Sequence, residues 1–568
     1  MSYAIPAFLP FFLAALFAAV APVKLRYLLV LVPLVNGILI YLNADQLTPI
    51  SVQLHTFTLQ IMDVGAQVSE QDAKLSLLFA YLFHLACFIC LIYALHVKDR
   101  VQIVAGLLYA GSAVGAVFAG DFITLFIFWE LLAVTSAFLV FARRTQAAKL
   151  AGIRYLIIQV LSGVLLLIGA ISYFQQTGST DIGYIGLGSM ASWLFLIAFG
   201  IKAAFPFMHS WLTDAYPEAT PAGAVFLSAF TTKVAIYMLA RTFPGEDLLV
   251  YIGAAMTCFP IFYAVIENDL RKVLAYSLIN QLGFMVCGIG IGTALALNGT
   301  VAHAFNDVIF KGLLFMTMGA VLHRVGHVNG SNLGGLYKTM PKTTIFCIVG
   351  AASISAFPLF SGFVSKSMVM AAMIEAGHEY LWLMLLFASA GVFHHAGIKI
   401  PFFAFFAHDS GLRPKEAPTN MLIAMGIASF ICILVGTYPE FLYQMLPWDM
   451  EKAYVPYDLT HTLTQLQLLF FSALAFVWLN KKGLYPPELK SVNLDFEWLY
   501  RRVLPSAGRG LALFAKNVKA SVVEISVSAM NALPVMKRGN DANAATLTLR
   551  MALGFVVLAV LAFVTQFI

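Results

Sequence analysis

Lys202-Ala-Ala-Phe-Pro-Phe-Met-His-Ser-Trp211 and Ser353-Ile-Ser-Ala-Phe-Pro-Leu-Phe-Ser-Gly362 decide how this chain folds. Each carries Ala-Phe-Pro in the middle of a long apolar stretch. A lysine stands close to each, Lys202 before the first proline and Lys366 after the second. Proline has no amide hydrogen to give, and its ring collides with the turn before it, so each span is expected to break there. The spacing puts the two motifs five spans apart, so they cross in opposite directions. Inverted repeats with interrupted helices near the midplane are a transporter pattern. A plain kink is the simpler reading of one proline. Two matched motifs with neighbouring lysines favour the transporter pattern.

The rest of the chain agrees with a membrane setting. Of 568 residues, 61% are hydrophobic and 11% charged, which no soluble domain of this size shows. The reading is all-α and polytopic, with about sixteen spans when windows near 20 apolar residues are sought. They fall near 4–21, 24–43, 72–95, 101–119, 121–141, 150–174, 189–216, 220–241, 248–266, 272–291, 296–322, 343–373, 380–407, 420–446, 462–480 and 546–568. The apolar start reads as a first span, not a cleaved leader. Basic residues gather in alternate loops, from Lys24/Arg26 and Lys98/Arg100 to Arg413/Lys415 and Lys481/Lys482. The positive-inside rule then puts those loops in the cytoplasm and both termini outside, in a bacterial inner membrane. The net charge of +6 follows from these loops and needs no nucleic-acid partner.

The organisation expected is 1–95 N-terminal helices, 96–245 a first repeat, 246–410 a second repeat and 411–480 further helices. Residues 481–545 form an amphipathic cytoplasmic linker, and 546–568 a final span. The linker mixes Trp498, Leu499, Leu511 and Phe514 with Arg501, Arg502, Arg509 and Lys516, as a surface-lying helix does.

Charges inside the spans are the candidates for chemistry: Glu130, Lys202, Lys233, Lys311, Lys366 and Lys399. Each costs a few kcal/mol or more at bilayer depth, so repeated use points to proton or cation movement. Out of water, a carboxylate favours its acid form and an ammonium its neutral amine unless an opposite charge stands near. A Glu–Lys pair whose contact opens and closes is therefore a proton switch. Glu130 and Lys202 are the expected pair, with Lys233 the next acceptor. His303, Asp307 and Lys311 step by four and share one helical face. His394, His395 and Lys399 form a weaker stripe. The bland alternative is a set of static bridges in a membrane scaffold.

Other chemistries find little footing. Gly288-Ile-Gly-Ile-Gly292 follows no soluble strand, so it is no dinucleotide loop. The six cysteines all lie in apolar spans, and Cys87/Cys90 lack further ligands nearby, so they read as core residues. No bound cofactor or metal is expected.

Phe128-Trp-Glu-Leu, the Lys202–Trp211 motif with Leu-Thr-Asp-Ala after it, Thr232-Lys-Val, Asp269-Leu-Arg-Lys-Val-Leu-Ala-Tyr-Ser, Phe310-Lys-Gly-Leu-Leu-Phe and Ser361-Gly-Phe-Val-Ser-Lys together resemble the proton-translocating antiporter-like family. That family includes the large membrane subunits of respiratory complex I and the A and D subunits of Mrp-type cation/proton antiporters. The resemblance runs over roughly 60–440. It implies that Glu130 and Lys202 are a coupled pair, Lys233 a connecting lysine, Lys311 and Lys366 the central and terminal lysines of the second half, and His303 a relay. Asp307 departs from the pattern, since many complex I relatives have histidine there. The stretch Ala388-Ser-Ala-Gly-Val-Phe-His-His-Ala-Gly-Ile-Lys-Ile-Pro is most similar to the Mrp D subunit, whereas the 481–568 tail is more similar to the longest complex I antiporter-like subunit. The expected role is a secondary-transporter subunit of a multisubunit Na+(K+)/H+ antiporter, partnered by other membrane subunits, rather than an enzyme. The alternative is a proton-pumping subunit of a complex I-like or hydrogenase-like complex.

Overall fold

Both Ala-Phe-Pro motifs end a helix. The computed structural model describes residues 5–54, 57–62, 69–450, 452–486, 488–489 and 493–532. Helices α1 (Leu9–Val20) and α2 (Leu31–Leu42) precede strands β1 (Ile50–Leu54) and β2 (Phe57–Met62). The unbroken helices α3 (Glu70–Ala94), α4 (Arg100–Val117), α5 (Phe122–Phe141) and α6 (Gln146–Thr177) follow. Next come α7 (Met190–Lys202), α8 (Ser210–Ala215), α9 (Pro221–Ala229) and α10 (Thr231–Thr242). The second half holds α11 (Asp247–Ile266), α12 (Leu270–Ile291), α13 (Ala294–Val325), α14 (Pro341–Ile354) and α15 (Ser361–Glu375). α16 (Glu379–Val392) runs into π-helical turns at Phe393–Lys399 and Phe402–Phe406. α17 (Thr419–Thr437), α18 (Glu440–Tyr443) and α19 (Leu459–Lys481) follow. These lie in one compact unit, Met1–Glu497; the second unit, Trp498–Ile568, contributes α20 (Leu504–Ala532) to the description.

The chain is an all-α, multi-pass membrane protein. Among the described residues, twelve helices are long and apolar enough to cross a membrane, and three shorter apolar helices join them. The expected span at 546–568 lies outside the described residues. α20 carries the amphipathic pattern read in the linker.

The two breaks are one device used twice. Lys202 ends α7 and Ile354 ends α14. Beyond each, Ala204 and Ala356 take positive φ (61° and 56°), as do Phe207 and Leu359 (68° and 73°). The hydrogen bonds also match. The Phe205 amide donates to the Gly200 carbonyl at 2.9 Å, and the Phe357 amide to the Ala352 carbonyl at 3.0 Å. Proline next in line supplies no donor, so the chain turns instead of continuing. The interval 343–373, long for one span, is thus two half-helices.

A second pair of matched sites shows how far the repetition extends. Asp121 caps α5 by accepting the Ile123 and Thr124 amides, and Asp269 caps α12 by accepting those of Arg271 and Lys272. Asp121 pairs with Asp181, and Asp269 with Asn329, in isolated antiparallel bridges. α6 and α13 are both 32 residues long and end on left-handed glycines, Gly178 and Gly326. Aligned this way, Gly163 of α6 answers to Lys311 of α13.

Three features depart from the sequence reading. Residues 50–54 and 57–62, between the expected spans at 24–43 and 72–95, alternate apolar and polar residues and pair as antiparallel strands. They dock on the α5 cap, where the Gln60 amide donates to Asp121 at 2.7 Å. The 220–241 span breaks at Phe230 without a proline. There the Thr231 amide leaves the helical ladder and donates to the Tyr109 hydroxyl at 3.0 Å. The 380–407 span passes into π-helical turns at Phe393–Lys399, where hydrogen bonds are spaced five apart.

A left-handed alanine costs about 1–2 kcal/mol relative to glycine. Ala356→Gly should therefore raise the thermal unfolding midpoint of the detergent-solubilised chain, and Ala356→Val should lower it.

Candidate functional site

The buried lysines go to backbone carbonyls, Lys366 to one left open by its own break and Lys202 to one inside intact α5. Lys202 is fully buried and donates to the Trp129 carbonyl of α5 at 2.6 Å. Its ammonium stands 4.3 Å from the centre of the Trp129 indole. Lys366 reaches back across its own break to the Ile354 carbonyl at 3.2 Å, with its ammonium 4.9 Å from the Phe284 ring of α12. Each lysine thus has an aromatic face from the matching helix, α5 or α12, as a partial counter-charge.

Glu130 and Lys202 do not form a direct ion pair. The Glu130 carboxylate lies against Gly163 of α6, where a methyl group would overlap its Oε1. That oxygen is buried and has no protein partner. The two charges remain within electrostatic reach of each other. Lys233, expected as the next acceptor, is itself paired. Its Nζ lies 2.5 Å from Asp307 Oδ2, and both side chains are fully buried. It also donates to the Ser228 carbonyl at 3.3 Å. The residue that breaks the family pattern is therefore the counter-ion that joins α10 to α13.

The His303–Asp307–Lys311 stripe fans out to three neighbours. His303 bonds Ser365 of α15 through Nδ1 (3.0 Å) and Gln281 of α12 through Nε2 (3.1 Å). Lys311 donates to Ser277 of α12 at 2.8 Å. Lys311 feels Asp307, Lys233 and Lys366, so these groups form one electrostatic cluster. His395 is buried, near the Gly391 carbonyl and within electrostatic reach of Lys311, His394 and Lys399.

Lys399 serves a helix end. Its ammonium donates to the Ala264, Val265 and Glu267 carbonyls at 3.1, 2.7 and 2.6 Å. Those carbonyls are at the open end of α11, which the ammonium satisfies. Its counter-ion is Glu488 at 2.9 Å.

Glu488 belongs to a strap that reads in the sequence as plain linker. At the first break, Asp495 Oδ1 lies 3.1 Å from His209 Nε2, and the Tyr276 hydroxyl donates to Asp495 at 2.7 Å. Phe496 packs on Phe207, the left-handed residue of that break. Tyr485 stacks on His394. Burial acts to raise the Asp495 carboxyl, but His209 and Tyr276 outweigh it and hold it below the usual range. Nothing in the local pattern around 484–497 marks these acids. Ser277 and Gln281 were missed for a different reason. They step by four through an apolar span, so the stripe argument used for His303 would have found them.

Residues 119–393 match the family described as NADH:quinone oxidoreductase/Mrp antiporter, TM. The chain is 30% identical over 396 residues to the A subunit of the Na(+)/H(+) antiporter of Alkalihalophilus pseudofirmus, covering 62% of this chain and 49% of the relative. It is 28% identical over 362 residues to hydrogenase-4 component B of Escherichia coli, covering 56% and 53%. The chain thus spans about half the length of these two relatives. In fold it is similar to a chain of the archaeal membrane-bound sulfane sulfur reductase, a respiratory membrane complex. There the TM-score is 0.70 at 19% identity, over 98% of this chain and 99% of the other.

Two outcomes test the site. Asp307→Asn strands a buried ammonium, so it should cost about 3–5 kcal/mol, and Lys233→Met with Asp307→Leu should recover most of it, read as thermal stability of the solubilised protein. A carboxyl held below its ordinary value contributes stability above that value and loses it as pH falls through the lowered one. Protease cleavage near Asp495 should therefore increase as pH falls below about 4, and at neutral pH should be faster in Asp495→Asn than in the unaltered protein.

Proposed function

We propose that this chain is the proton-translocating membrane subunit of a multisubunit monovalent cation (Na+/K+)/H+ antiporter of the Mrp type. One observation carries the reading: at two matched backbone breaks, buried lysines rest on carbonyls and aromatic faces, beside a second set of buried ionisable groups around Lys233–Asp307 and Lys311. An ammonium bound this way keeps its proton only while its partners stay in place. The proton track is Glu130, Lys202, Lys233, His303, Lys311 and Lys366, with Lys399 at its far end, held by carbonyls and Glu488. Residues 96–245 and 246–410 act as the two repeats, crossing in opposite senses. The chain sits in a bacterial inner membrane with both termini outside and works beside other membrane subunits. As a transporter component it makes and breaks no covalent bond itself. Similarity to an antiporter component named for Na(+)/H(+) exchange supports the cation.

A second reading is a proton-pumping subunit of a redox complex, driven by electron transfer in its partners. Similarity to a hydrogenase component favours it.

Everted vesicles carrying the complete complex separate these. In the first case, adding Na+ or K+ to vesicles energised by respiration should collapse part of the pH gradient. Lys202→Ala should abolish that response while the chain stays assembled. In the second case, the cation should do nothing, and proton movement should require an electron donor. Full activity of Lys202→Ala in both assays would leave a static scaffold.

A further inference from the structure

Lys399 is held differently from the other buried lysines. Lys202 and Lys366 each meet one carbonyl and an aromatic face. Lys311 meets one hydroxyl, and Lys233 one carboxylate and one carbonyl. The Lys399 ammonium is ringed by four oxygens. Three are the carbonyls of Ala264, Val265 and Glu267 at 3.1, 2.7 and 2.6 Å, and the fourth is Glu488 Oε1 at 2.9 Å. The lysine side chain is fully buried and that of Glu488 is 5% exposed.

Four oxygens are more than an ammonium can serve, because it has three hydrogens in fixed directions. The deficit falls on Glu488. Both of its carboxylate oxygens are buried, and neither has a hydrogen bond in the protein. A carbonyl cage with a carboxylate to spare suits a cation without directional preference. An alkali cation is one: it accepts oxygens from any side, as when a set of carbonyls replaces an ion's water shell. The backbone supplies this cage for a local reason. α11 ends at Ile266, so its last carbonyls find no amide four residues on. The negative end of its dipole points at the same spot. Helix C-terminal ends and freed carbonyls hold Na+ in this way in membrane transporters.

We propose that the carbonyls of Ala264, Val265 and Glu267, with the Glu488 carboxylate, form a binding site for a monovalent alkali cation, in which the Lys399 ammonium is a tethered competitor. The proposal rests on the transport reading above and names where the exchanged cation sits. The cage holds one positive charge at a time. While Lys399 carries its proton, its ammonium fills the cage and the cation stays out. When one N–H bond of Lys399 breaks, the proton leaves to water and the electron pair stays on nitrogen. The amine is then neutral, and Na+ or K+ takes the carbonyls and the Glu488 carboxylate. One proton leaves for each cation that enters, so the charge of the site is unchanged. The other titratable groups around the ammonium are Glu267, paired with Lys272 at 3.3 Å, and His394 and His395 on its own segment, with Tyr485 beside Glu488.

A helix cap would use the same three carbonyls, so the test adds cation. The readout is the thermal unfolding midpoint of the solubilised full-length chain, in KCl or NaCl against choline chloride at equal ionic strength. In the unaltered chain the alkali salt should raise the midpoint by about 2–4 °C near about pH 9, and by much less at about pH 6, because cation and proton compete. Lys399→Met removes the competitor and should show the rise at both pH values. Lys399→Arg keeps its charge throughout and should show it at neither. In the Lys399→Met background, Glu488→Gln should raise the cation concentration needed at least tenfold. A response to K+ alone or to Na+ alone upholds the site and fixes its selectivity. Equal midpoints in alkali and choline salts for the unaltered chain at high pH would overturn the site and leave a helix cap, and this measurement decides even where Lys399→Met does not fold. The vesicle assay judges the transport reading separately. A cation effect on the midpoint without one on the pH gradient keeps the site and removes the transport reading; the reverse removes the site alone.

Discussion

A full positive charge held out of water must be answered within hydrogen-bond reach, and this constraint organises the molecule. Leaving one partner unmade costs several kcal/mol, a large share of any domain's stability. The protein meets it in three ways. Lys233 takes a carboxylate from a distant helix. Lys202 and Lys366 take a carbonyl and an aromatic face. Lys399 takes the open end of a helix. Only the first is a strong, local ion pair between neighbouring spans. Lys202 and Lys366 have no full counter-charge in contact, so a small shift of a neighbour changes what the proton gains by staying.

The two lysines at the breaks reach carbonyls in different ways. Lys366 takes the Ile354 carbonyl that the break after α14 leaves open, whereas Lys202 shares the Trp129 carbonyl inside intact α5, on its second lone pair. The same backbone break appears in each half, down to the left-handed alanines. The halves then differ in content. The first has glycine at position 163 and lets a carboxylate in. The second has lysine at 311 and sends an ammonium to Ser277. One scaffold thus presents a negative group in one half and a positive group in the other.

Much of this was legible in the sequence because proline and charge act locally. The breaks, the buried lysines and the His303 stripe all follow from single residues in apolar runs. The break at Phe230 was not legible, since its cause is a hydroxyl on α4, far away in sequence. The direct Glu130–Lys202 contact was expected from charge alone, yet the space at Gly163 draws the carboxylate elsewhere. Asp307 looked like a lost histidine. Its meaning appears only when Lys233 is brought beside it. The π-helical turns at 393–399 and 402–406 likewise need the fold, because nothing in the letters marks a change to five-residue hydrogen bonding.

Glu488 and Asp495 bring carboxylates to two places on the bundle. The strap that carries them touches the first break at His209, α12 at Tyr276 and the end of α11 through Lys399. Because its acids are tethered, they act at an effective concentration that no free anion in the cell would reach. Removing the Asp495 contacts would lower the effective concentration of Glu488 at Lys399, and the open end of α11 would lose its nearby carboxylate.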